Sequence, residues 1–119
     1  MRALLLVAHG SRREESNEEV RRLGQALANY AGQRFGKVSC SFLEHGAPTL
    51  PEGIAACVAA GARDVVVLPY FLSAGKHVIE DIPRLVEEAR RVHGGINIRI
   101  APYMGTGAGL VQTLLSLAD

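Results

Sequence analysis

Residues 3–8 read Ala-Leu-Leu-Leu-Val-Ala, a run with no polar side chain. A strand that alternates apolar and polar residues keeps one face in water. An unbroken run requires burial on both faces, which a parallel sheet covered by helices supplies. Val65-Val66-Val67-Leu68, inside a strand expected over Asp64–Pro69, makes the same demand. Two more strands are expected, over Lys37–Leu43 and Asn97–Ala101. Helical patterns separate the four. The first helix is expected from about Arg12 to about Gln33, with Ser11 and Glu14 at capping-box spacing and Val20, Leu23, Leu27 and Tyr30 on its inner face. The second opens on a Thr49/Glu52 box with Pro51 in its first turn, runs to Ala60 and stops at Gly61. The third passes through Val86 to Val92 and ends at Gly94-Gly95, with Pro83 near its start and Asp81 as the expected cap. The last runs from about Gly109 to Leu117. Strand and helix thus alternate. The pattern predicts an α/β fold: a small, open, four-stranded parallel sheet flanked by helices, in one domain over residues 1–119.

Composition narrows the function. A chain of 119 residues, 48% hydrophobic, can build one compact core. So small a sheet leaves apolar surface over, so dimerisation is expected on physical grounds. A formal net charge of +1 and 5% aromatic residues with no Trp give nucleic acid neither an electrostatic footprint nor a stacking platform. Cys40 and Cys57 lie far apart in apolar stretches with no CxxC pair, so both are expected reduced and buried. The apolar run at residues 3–8 leads straight into Arg12, Arg13, Glu14 and Glu15, too short for a secretory leader or a membrane span. A soluble, cytoplasmic protein is expected.

Open α/β sheets bind ligands at the carboxyl ends of their strands. There the sequence places His9, Gly10 and Ser11 after the first strand, and Glu44 and His45 after the second. Ser73, Gly75, Lys76 and His77 follow the third, and Tyr103 and Met104 the fourth. Taken singly, His9 could be satisfied by backbone hydrogen bonds, His77 could be a surface residue at a helix start, His45 a loop residue with no role, and Glu44 or Lys76 a solvated surface charge. Together, three of the four histidines and a carboxylate converge on one edge. His93 falls at a helix end, where the dipole favours a cation, and reads as structural. Two imidazoles and a carboxylate suit Co2+, Fe2+ or Ni2+, and with no thiolate offered a structural zinc site is disfavoured. Two or three ligands leave coordination positions open, as transfer requires. Gly10, Gly46, Gly75 and Gly105 are expected to keep these loops slim for a flat, bulky ligand.

Three segments resemble the short class II chelatases, the CbiX-like group of sirohydrochlorin cobaltochelatases and ferrochelatases. They are Leu5-Leu6-Val7-Ala8-His9-Gly10-Ser11-Arg12; Phe42-Leu43-Glu44 with Ala47-Pro48-Thr49-Leu50-Pro51-Glu52; and Leu68-Pro69-Tyr70-Phe71-Leu72-Ser73-Ala74-Gly75-Lys76-His77-Val78. The resemblance covers nearly the whole chain. It implies metal insertion into sirohydrochlorin, with the divalent ion as substrate and no organic cofactor. His9 and His77 carry over as metal ligands and Glu44 as a metal-site carboxylate or proton acceptor. A homodimer with its cleft near the interface is implied as well. Neither the histidine-rich insertion nor the carboxyl-terminal cysteine cluster of some relatives is present, which does not choose between cobalt and iron. Ser11, Arg12, Arg13, Ser73, Lys76 and helix amino-terminal amides are candidates to receive the substrate's carboxylates. Each histidine must be neutral to ligate, so acid should release the metal. Two rivals stand beside this reading. A histidine phosphatase also places His-Gly after an early strand, but carries Arg where this chain has Ala8. A protein that only binds metal or tetrapyrrole would show the same edge and no catalysis.

Overall fold

The two apolar runs lie side by side at the centre of the sheet. A computed structural model describes residues 1–119. Its strands are β1 (Arg2–Ala8), β2 (Lys37–Phe42), β3 (Asp64–Pro69) and β4 (Asn97–Ile100), all parallel, in the order β2-β1-β3-β4. Leu4 sits opposite Val38 on one side and Val66 on the other, which fixes the register of the central pair. Residues 3–8 of β1 are all buried, as the absence of alternation demands, whereas the edge strand β4 alternates.

The helices are α1 (Glu14–Ala31), α2 (Leu50–Ala59), α3 (Ile82–Val92) and α4 (Leu110–Ala118). On one face of the sheet, Leu5, Val7, Val65 and Val67 pack against Leu50, Ile54 and Cys57 of α2 and Ile82, Val86 and Ala89 of α3. Each large aliphatic side chain buried here contributes about 1.5–3 kcal/mol. The Thr49 box forms as expected: its hydroxyl accepts from the Glu52 N–H, and the Glu52 carboxylate accepts from the Thr49 N–H.

The other face carries α1 alone, and here two expectations need correcting. Of the expected inner face, Val20 and Leu27 are half-buried and Leu23 and Tyr30 are 40% and 87% exposed; the buried residues of α1 are Asn17 and Gly24. The reason is placement. Helix α1 lies over β2, with Gly24 beside Cys40. Leu23 and Leu27 face a strip over β1 and β3 that no helix covers, and with Leu6, Leu68, Tyr103 and Met104 they line an apolar groove of about 440 Å³. The Ser11 cap also fails to form: α1 begins after Arg13 with no side-chain cap. Helix α4 buries none of its residues, and Val111, Leu114, Leu115 and Leu117 are exposed. No helix is long and apolar enough to cross a membrane.

Candidate metal site at the carboxyl edge of the sheet

The chain leaves β1 for β2 on one side and later returns to add β3 on the other, so β1 and β3 flank the point where strand order reverses. Open α/β sheets bind ligands at such points. His9 follows β1 and His77 ends the loop after β3, and their rings meet with centroids 4.5 Å apart and planes inclined by 35°. The Phe71 ring stands 6.2 Å from His77.

Glu44 arrives because the ladder between β1 and β2 runs on past the strands. The Leu43 N–H donates to Ala8 O at 3.0 Å and the Glu44 N–H to His9 O at 2.9 Å. Glu44 Oε1 then lies 2.5 Å from His9 Nε2. Gly10 permits this approach: its φ is +95°, and a Cβ there would lie 1.6 Å from the Glu44 carbonyl oxygen. Asn17, buried on α1, ties the two loops together. Its amide donates to Ser11 O and His45 O, both at 2.8 Å, and its Oδ1 accepts from the Ser11 N–H. Arg21, one turn on, donates to Ala47 O at 3.2 Å and pairs with Glu14 and Glu18. The hydrogen bond from Arg21 holds the Glu14 carboxyl below its usual range.

His77 is held differently. It opens a π turn, His77–Asp81, in which the Ile82 N–H donates back to His77 O. Asp81 does not cap α3. Its Oδ2 instead lies 2.6 Å from His77 Nδ1.

The remaining candidates take varied places. Ser11 Oγ accepts from the Arg13 N–H, so that hydroxyl shapes its own turn. Arg13 pairs with Glu15 at 3.4 Å on the surface, and Arg12, Ser73 and Lys76 are exposed on the loops beside the two histidines. His45, at φ +53°, stands at the rim with Nε2 4.0 Å from Glu44 Oε2. Tyr103 and Met104 turn away to the groove beside α1. His93 ends α3 and lines a separate cavity with Leu85 and Val92. Gly10, Gly46 and Gly105 do not clear room for a ligand: a Cβ at each would strike the Glu44 carbonyl, the Phe42 ring or the Leu72 carbonyl, so they serve loop packing. Only Gly75 of that set faces open space.

Sequence reasoning missed Asn17 and Asp81. The signals were there: Asn17 is a polar residue seven before the buried Gly24, and Asp81 stands four after His77. Both cysteines are unpaired; Cys57 is buried as expected but Cys40, on the edge strand β2, is only half-buried, and desolvation pushes both thiols up, so neither offers a ready thiolate. No three His, Cys, Asp or Glu side chains form a complete metal cage, and no cavity encloses His9, Glu44 or His77. The edge therefore offers an open, one-walled set of two imidazoles and a carboxylate, able to hold an exchangeable borderline ion and to accept protons.

Known proteins resemble this chain in sequence and in fold. A sirohydrochlorin cobaltochelatase of Saccharolobus solfataricus is 35% identical, over 97% of this chain and 91% of its own. A chloroplastic sirohydrochlorin ferrochelatase of Arabidopsis thaliana is 33% identical over 86% of this chain, which spans 44% of that protein. The sirohydrochlorin chelatase SirB from Bacillus subtilis subspecies spizizenii, solved in complex with cobalt, superposes with a TM-score of 0.87 at 28% identity, over 97% of this chain and 48% of SirB. The CbiX family model matches residues 3–119, and the chain belongs to the CbiX family.

Proposed function

We propose that this chain, as one chelatase domain, inserts Co2+ or Fe2+ into sirohydrochlorin, on the route to cobalamin or siroheme. The observation that carries this reading is the meeting of the His9 and His77 rings at 4.5 Å across the strand-reversal point, with Glu44 beside His9. His9 and His77 take the aquo-ion and remove part of its water. Glu44 accepts protons as they leave the pyrrole nitrogens. Arg12, Arg13 and Lys76, with Ser73 and the Ser11 turn, receive the carboxylates of the macrocycle. The names of the relatives support the substrate and both metals.

The site has one wall, and a homodimer supplies the second. What supports pairing is the exposed apolar helix α4 and an uncovered apolar groove, together with relatives about twice this length. A cytoplasmic location goes with this reading and suits the two unpaired cysteines.

The test mixes the protein with sirohydrochlorin and Co2+ or Fe2+ and follows the absorbance of the macrocycle. Insertion faster than the protein-free control, and lost in His9→Ala and His77→Ala, is expected. A rate equal to the control sinks the proposal and leaves metal or tetrapyrrole binding without catalysis. Light scattering in the same buffer is expected to give twice the 12.7 kDa chain mass. A monomeric mass at full activity would remove the dimer from the account.

A further inference from the structure

We propose that Asp81 is a positioning residue for metal capture: it holds the Nδ1 hydrogen of His77 and so commits Nε2 of that ring to the ion. The inference rests on the reading of His77 as a metal ligand. A carboxylate can only accept, so across the 2.6 Å contact the shared hydrogen sits on Nδ1. That leaves Nε2 with a free lone pair, the tautomer needed for ligation. Metal-bound histidines recurrently donate their second ring nitrogen to a carboxylate in this way, which sets both tautomer and ring orientation.

The local chain is built for this contact. Pro83 has no amide hydrogen for the carbonyl four residues back, at Ile79, and its ring crowds that carbonyl. The turn before it is accordingly a π turn, in which the Ile82 N–H reaches back to His77 O. Single π turns of this kind recur at functional sites. Within it, Asp81 is freed from capping α3 and is 22% exposed, against 50% for Glu44. Its second oxygen lies 3.8 Å from the exposed Arg84 guanidinium, an ion pair without a hydrogen bond. Glu44, by contrast, lies against Nε2 of His9, the opposite ring nitrogen.

Two measurements test the proposal. Long-range proton–nitrogen spectra of the unaltered, metal-free protein under alkaline conditions should show His77 as the Nδ1–H tautomer; a predominant Nε2–H tautomer overturns the inference without any variant having to fold. The second measurement is Co2+ affinity in the absence of tetrapyrrole, followed by the visible absorption of the bound ion. Asp81→Asn, whose amide can turn to donate and stabilise the wrong tautomer, should weaken binding by about 10- to 100-fold. Asp81→Glu should recover part of the loss, and Asp81→Asn should add nothing in a His77→Ala background. A loss below tenfold, or an equal loss without His77, overturns the inference. If His77→Ala alone leaves Co2+ affinity unchanged, the ligand reading itself fails and this inference falls with it. If His77→Ala weakens binding and Asp81→Asn does not, only the inference falls.

Discussion

His9 and His77 face one another but are held by different kinds of structure. His77 and its partner Asp81 share one turn of chain, four residues apart, so the contact is set locally. His9 and Glu44 come from different loops, and their contact depends on the extended ladder, on Gly10 and on the Asn17 bridge. The pairs also differ in exposure: 48% and 50% for His9 and Glu44, 37% and 22% for His77 and Asp81. The lesson is a division of labour. A locally fixed histidine suits a permanent ligand, and a carboxylate on a separate, solvated loop suits a group that must exchange partners as metal enters and protons leave.

That contrast can be broken by substitution, beginning with the largest effect. Replacing both histidines, His9→Ala with His77→Ala, should bring insertion down to the protein-free rate while the melting temperature holds. Retention of measurable catalysis would show that neither arm grips the ion. Glu44→Gln should lower the insertion rate by about 100- to 10,000-fold, the range for losing a positioned proton acceptor, with a far smaller change in Co2+ affinity. Equal losses in both quantities would make Glu44 a ligand and erase the distinction between the arms.

Asn17→Ala should act on the His9 arm alone. It strands the Ser11 N–H and the Ser11 and His45 carbonyls, at about 1–3 kcal/mol for each group that water cannot reach. Nitrogen spectra should then show a perturbed His9 and an unchanged His77; perturbation of both would mean the arms are one unit. The smallest effect should come from Arg21→Ala, which loosens the loop at Ala47 from α1. Its cost should also depend on pH. The folded-state value of Glu14 is depressed, chiefly by the hydrogen bond from Arg21. The stability this brings is present above the unfolded value and lost as pH falls through the folded one. The melting-temperature gap between wild type and Arg21→Ala should therefore narrow below about pH 4, and a constant gap would contradict the sign.

The fold was legible because its strongest signals are local. Unbroken apolar runs marked β1 and β3, and the Thr49/Glu52 box marked the start of α2. Leu23 and Tyr30 misled because a helical stripe declares that a face is apolar without saying what covers it, and α1 lies over the edge of the sheet. Ser11 misled because cap spacing cannot tell a cap from a turn that Asn17 has claimed. At the site, fold topology gathers strand ends, so His9, Glu44 and His77 stood among the strand-end candidates, and the family resemblance singled them out. Asp81 was hidden by a competing role: before a proline it read as a cap, and only the π turn frees it to meet His77.

The most direct test of the central claim is anomalous diffraction from crystals of the unaltered protein soaked in Co2+. A single cobalt peak should lie between the two rings, about 2.0–2.2 Å from a nitrogen of each, with Nε2 the contacting atom of His77. Cobalt bound to only one imidazole, or to neither, with the two rings in separate environments, would contradict the account.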